Sequence, residues 1–155
     1  LIEKQNYLES LNITPKTGAL QRWTGVKQFK IVDSVALPKN ATYQFVTVIN
    51  LAGNEGIEQL SMVFKGYFYA EAEGLYEFAT KSDDGSLLFI GDKMVVDNGG
   101  NHSAIEKNGM VALQKGWHPI TIKYHEATGG GELSVSFKAP NGEKQVLKGN
   151  VIAHD

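Results

Sequence analysis

Cysteine is absent from this chain of 155 residues, so no disulfide holds the fold and no thiol carries out chemistry. Long apolar runs are absent too: none approaches the roughly 20 residues a helix needs to cross a bilayer. Charge of one sign is also missing. The 15 basic and 17 acidic residues leave a formal net charge of -2. That balance gives no basic face for nucleic acid and no polybasic patch for a membrane, so neither nucleic-acid binding nor membrane insertion is expected. The histidines, His102, His118, His125 and His154, contain no i, i+2 or i, i+4 pair, the spacings of a zinc site. No Gly-x-Ser-x-Gly elbow, phosphate loop or Ser/His/Asp arrangement occurs. Glu71, Glu73 and Glu77 flank a glycine turn and read as solvated charge rather than a glycosidase acid pair. The chain is therefore not expected to be an enzyme.

Apolar residues at 42% suffice for the core of one domain, and residues 1–155 are read as a single unit. The chain begins at Leu1 rather than Met, so a processed protein or an excised piece of a longer one is expected. Proline is scarce, at 4 residues, and glycine plentiful, at 17. Apolar and polar residues alternate with period two in many short runs, the signature of strands. Leu60, Met62 and Phe64 face one way. Tyr76 and Phe78 do the same in the next run. Leu133, Val135 and Phe137 alternate against Glu132, Ser134 and Ser136. Gly91-Asp92 between two apolar runs fits a tight hairpin. Runs at 26–37, 43–48, 110–113, 117–125 and 145–147 also read as strands. Residues 7–11 fit a helical turn or a strand. Many short strands at this spacing predict an all-β fold, an antiparallel β-sandwich or barrel.

Ser82-Asp83-Asp84-Gly85-Ser86 leads straight into Leu87-Leu88-Phe89-Ile90. Adjacent carboxylates repel each other. A fold tolerates them when both stay hydrated, when donors surround them, or when a cation sits between them. Ca2+ takes several oxygen ligands, from carboxylates, carbonyls and water. The other reading is a structural turn whose carboxylates accept N–H bonds from their own loop. Downstream, Asp97, Asn98, Asn101 and His102 lie in a polar stretch. Asn side chains offer both donors and acceptors to sugar hydroxyls. Alternatively Asp97 and Asn98 cap a turn and His102 packs as a half-buried ring.

Several features taken together resemble one family. They are Phe64-x-Gly66-Tyr67-Phe68, Gly74-Leu75-Tyr76-x-Phe78, Ser82-Asp83-Asp84-Gly85-Ser86-x-Leu88 and Ile90-Gly91-Asp92-Lys93-x-Val95-Val96-Asp97-Asn98. Then come His102, Leu113-x-x-Gly116-Trp117-His118-x-Ile120 and Tyr124-x-Glu126…Gly130-Gly131-Glu132-Leu133. This order is similar to that of the PA14 domain, with the family-like core at about residues 61–138. The resemblance implies a β-sandwich and a non-catalytic module of secreted or surface proteins, among them glycoside hydrolases, adhesins and toxins. It implies that the Asp83–Asp84 peptide is cis and that the pair holds calcium, whose coordination sugar hydroxyls complete. Glu126 then joins Asp83 and Asp84 as a metal ligand. Asp83, Asp84, Asn98, Asn101 and His102 become the carbohydrate-binding set. Trp117 falls at a core position, whereas Trp23 fits core or surface. Gly99 and Gly100 stand where many relatives carry Trp or Asp, and the 127–131 loop offers few side-chain oxygens.

The expectation is a calcium-dependent carbohydrate-binding module, accessory to a glycoside hydrolase in the same polypeptide. Its partner is a glycan and its location secreted, periplasmic or at the cell surface. The alternative is a structural module that packs against a catalytic neighbour and has no ligand of its own.

Overall fold

The computed structural model describes residues 7–12, 16–17, 19–23, 42–51, 55–56, 58 and 60–154. Twelve strands are placed: β1 (Lys16–Thr17), β2 (Ala19–Trp23), β3 (Thr42–Val46), β4 (Leu60–Ala70), β5 (Gly74–Asp83), β6 (Gly85–Ile90), β7 (Lys93–Asn98), β8 (Ile105–Leu113), β9 (Gly116–Glu126), β10 (Glu132–Lys138), β11 (Gln145–Val146) and β12 (Ile152–His154). Among the described residues they form two sheets. The larger runs β1-β12-β4-β9-β6-β7, with β2 also beside β4 and β3 beside β2; the smaller runs β11-β10-β5-β8. All of these strand pairs are antiparallel. The all-β sandwich expected from the alternation is the fold observed.

Period-two patterning explains the core. Leu60, Met62, Phe64 and Phe68 from β4 meet Tyr76 and Phe78 from β5 and Leu133, Val135 and Phe137 from β10. Phe68, fully buried, stands edge-on to the rings of Tyr76, Phe78 and Phe137 at 5.6, 5.0 and 5.0 Å between centroids. Such T-shaped contacts between one sheet and the other favour a single packing of the layers. At the β7/β8 side the sandwich closes on itself. A Cβ on Gly109 would lie 1.7 Å from the Val95 carbonyl oxygen, so only glycine permits that backbone approach.

Several expectations need correction. β8 spans nine residues, not only 110–113; its first half carries exposed residues that hide the alternation. β12 was not foreseen and pairs with β4 through Ile152↔Phe68 and Ala153↔Tyr67. Trp117 is half-buried rather than core: it faces outward beside Tyr69, with ring centroids 4.9 Å apart, because His118 and Ile120 take the inward positions of β9. Of the two readings of residues 7–11, the helical turn is excluded: Leu8↔Leu113 and Leu11↔Trp117 are isolated β-bridges. The 26–37 strand and the side chain of Trp23 lie outside the described residues.

Candidate functional site

Asp83 and Asp84 do not sit in a hairpin turn. β5 of the smaller sheet ends at Asp83 and β6 of the larger sheet begins at Gly85, so Asp84 alone carries the chain between layers. The Asp83–Asp84 peptide bond is cis. Ser82, Thr80 and Ser86 form a buried hydroxyl chain beneath this crossing, with Ser82 Oγ–Ser86 Oγ at 2.6 Å and Ser86 Oγ–Thr80 Oγ1 at 2.8 Å. Gly85 is required here. A Cβ there would meet Gly100 O at 2.6 Å and His125 Cε1 at 2.8 Å.

Asp84 is buried, and each of its oxygens receives one backbone N–H. His102 donates to Oδ1 at 2.9 Å and Ala127 to Oδ2 at 2.7 Å. The carboxylate thereby ties the 99–104 loop to the 127–131 loop. Glu126, at the end of β9, turns inward next to it and is 1% exposed. The Asp83, Asp84 and Glu126 carboxylates each offer an oxygen, and these lie within 4.8 Å of one another. The Tyr124 hydroxyl donates to the Asp83 carbonyl and lies 3.3 Å from Glu126 Oε2. Glu126 Oε1 is buried with no hydrogen-bond partner.

The electrostatics match the crowding. Burial first, then Asp84 and Asp83, push the Glu126 carboxyl up to about 7. Burial and the neighbouring Asp84 raise Asp83 as well. The Tyr124 hydroxyl is held protonated, mainly by burial and then by Glu126. Burial pushes the His125 ring down, against the nearby Asp84, which draws it up.

The remaining expected site residues separate into two groups. Asn98 is fully buried, and its amide N–H2 donates to Ile105 O at 2.8 Å, Thr80 O at 3.1 Å and Ser82 Oγ at 3.3 Å. It braces β7 against β5 and is closed to a glycan, which corrects its placement among the sugar-contacting residues. Asn101 is exposed, with Oδ1 2.9 Å from His125 Nε2. His102 is half-buried; its ring nitrogens lie 2.9 Å from Asn98 O and 2.7 Å from Ser103 O. Its backbone, rather than its ring, meets the carboxylates.

Tyr124, His125 and the Ala127 amide were missed from the sequence. A signal for Tyr124 existed: counted in twos from Ile120 and Ile122, Tyr124 and Glu126 both fall on the inward face. An acid at an inward position calls for a partner. Gly131 closes the cluster, since a Cβ there would lie 2.7 Å from Tyr124 Oη and 3.3 Å from Glu126 Oε2.

A family model described as PA14 domain matches residues 38–149. The chain belongs to the PA14 domain family. Among curated proteins it is 28% identical over 142 residues to a beta-hexosaminidase of Porphyromonas gingivalis, covering 84% of this chain. The matched region is 18% of that relative's length. Among solved structures it resembles the PA14 domain of the antifreeze protein MpAFP, with a TM-score of 0.75 at 17% identity, covering 94% of each chain. It also resembles the epithelial adhesin 9 A domain of Candida glabrata, solved in complex with Galβ1-4GlcNAc. There the TM-score is 0.69 at 16% identity, with 98% of this chain and 97% of the adhesin domain covered. At these identities the likeness to solved structures shows the fold alone.

Proposed function

We propose that this PA14 domain is a non-catalytic, calcium-dependent carbohydrate-binding module, accessory to a secreted, periplasmic or cell-surface glycoside hydrolase in the same polypeptide. One observation carries the cation reading. Glu126 Oε1 is buried without a partner in a cluster of three carboxylates. An unpaired buried acid oxygen is costly unless it is protonated or meets a cation. An all-oxygen donor set matches a hard divalent ion such as Ca2+. Asp83, Asp84 and Glu126 would hold it. When bound, the ion supplies open coordination positions that neighbouring sugar hydroxyls can fill. Asp84 has one N–H on each oxygen, which fixes the carboxylate's orientation before any ligand arrives. Asn101, with its carbonyl engaged by His125, keeps its N–H2 for a hydroxyl at the rim.

The glycan partner is supported by the carbohydrate-bound adhesin domain of the same fold. The accessory role is supported by a relative that is a beta-hexosaminidase, of which the matched part is a small fraction. The test is a thermal melt with calcium or EDTA, joined to a glycan array under the same two conditions. Calcium should raise the melting temperature, because a ligand specific to the folded state stabilises it by mass action. Glycan signals should vanish in EDTA. A melt indifferent to calcium overturns the cation reading.

A second reading, a module that packs on a catalytic neighbour, is favoured by one feature. Leu75 and Met110 are 39% and 54% exposed on the outer face of the smaller sheet. With Pro140 they line an open groove of about 340 Å³. It lies at the Gly74 end of β5, opposite Asp83.

A further inference from the structure

His125 is fully buried although its neighbours are carboxylates and loops rather than core. It pairs with Gly85 across β9 and β6, so its ring lies over the backbone that follows Asp84. Above the ring comes the loop. Gly100 N and O both lie within 3.0 Å of where a Gly85 Cβ would be. The Asn101 carboxamide oxygen sits 2.9 Å from His125 Nε2. A carboxamide oxygen only accepts, so Nε2 carries the proton. The opposite nitrogen, Nδ1, is buried with no partner. The ring is therefore held at one end only, and that end grips the loop.

We infer that His125 is a positioning residue: through Asn101 it seats the 99–104 loop so that the His102 amide meets Asp84 Oδ1, and thereby sets the carboxylate edge that Asp84 turns toward a cation. This rests on the cation reading of Asp84 above. The chain of contacts is short and continuous. It runs from His125 Nε2 to Asn101 Oδ1 at 2.9 Å, along one peptide to His102 N, and from there to Asp84 Oδ1 at 2.9 Å. Gly99 and Gly100 precede Asn101, and Gly100 has φ +93, so this part of the loop has little stiffness of its own. A loop beginning with two glycines needs an external anchor, and the buried imidazole provides one.

The test separates the anchor from the ion. Four proteins are compared with the parent: Asn101→Ala, His125→Phe, His125→Gln and the Asn101→Ala/His125→Phe double variant. In EDTA, amide hydrogen exchange at His102 is followed by NMR, with β4 and β9 amides as the control for global unfolding. Asn101→Ala and His125→Phe should each speed His102 exchange roughly tenfold, equivalent to about 1.4 kcal/mol, and leave the β4 amides unchanged. The Gln side chain places an N–H donor near the position of Nε2, so His125→Gln should keep most of the protection. The double variant should be no faster than either single one. Calorimetric calcium affinity should fall by a similar factor in the same variants. Parent-like exchange at His102 in Asn101→Ala overturns the inference, as do additive effects in the double variant. If His125→Phe fails to fold, Asn101→Ala decides alone. A parent that takes up no calcium overturns the cation reading, and the exchange rates still decide whether His125 seats His102 on Asp84.

Discussion

Ala127 gives its backbone N–H to Asp84 Oδ2 at 2.7 Å, joining the end of β9 to a carboxylate 43 residues earlier in the chain. With His102 on the other oxygen, Asp84 is both a proposed ligand and the fastener of two loops. The two roles should come apart under mutation.

Asp83→Ala and Asp84→Ala are expected to differ. Both should abolish a calcium-induced rise in melting temperature. Asp84→Ala also strands two loop N–H groups, at roughly 1–3 kcal/mol for each that stays buried and unpaired. Asp83 is partly exposed and, among the described residues, no loop amide donates to its carboxylate, so Asp83→Ala should cost under about 1 kcal/mol in EDTA. Melts of both variants in EDTA and in calcium check this. Equal metal-free losses would contradict the fastener role.

The pH dependence follows from Glu126. Its carboxyl rises from 4.5 to about 7 in the folded chain, mainly through burial. Between those values the unfolded chain has released a proton that the folded chain retains. Stability is then fully present below the unfolded value and is lost as pH rises through about 7. The metal-free protein should lose up to about 3 kcal/mol across this window from Glu126. Glu126→Gln should flatten that part of the slope. Denaturant melts in EDTA at pH 5 and pH 8 measure it, and an unchanged slope in the Gln variant refutes the assignment to Glu126. Calcium binding needs the ionised form, so affinity should increase over the same range.

Tyr124→Phe removes the hydroxyl that joins the Asp83 carbonyl and Glu126. A loss of about 1–2 kcal/mol is expected, because a buried carbonyl is left without its donor. The Tyr124 bond lowers the Glu126 pKa, so the variant should shift the Glu126 titration upward. Carbon-13 NMR of the Glu126 carboxyl would show the displacement. A downward movement would mean that the hydroxyl is not the donor.

Gly85→Ala should disturb the site without touching a carboxylate. The added methyl meets Gly100 O at 2.6 Å and the His125 ring at 2.8 Å, so the loop must lift. Overpacking of this kind costs about 1–3 kcal/mol. Calcium affinity should drop together with stability, and a variant with unaltered calorimetric affinity would show that the loop has no bearing on the ion.

Much of the architecture was legible because the strands obey one period. Phe64, Tyr76, Phe78 and Phe137 could be assigned to one face of their strands by counting in twos, and all four are in the core. β8 hid because Ile105 to Asn108 are all exposed, which erases alternation. The role of Asn98 hid for a different reason. Polarity suggested a surface group, but four neighbouring acceptors from β5 and β8 surround its N–H2 inside the sandwich. At the site, the twin acids and Glu126 stood out as residue types. Their meeting depends on β9 crossing beside β6, with Ser86 opposite Tyr124. Pairing between strands is a long-range property that no local spacing encodes.

Asp84 is the single residue between β5 of the smaller layer and β6 of the larger. Anything that grips its side chain therefore pulls on both layers at once. Tension from a tethered glycan would enter the body through this junction and spread along β5 and β6 together, instead of peeling a surface loop away. Under the proposed function, a grip at this seam would resist detachment better than a grip on a loop.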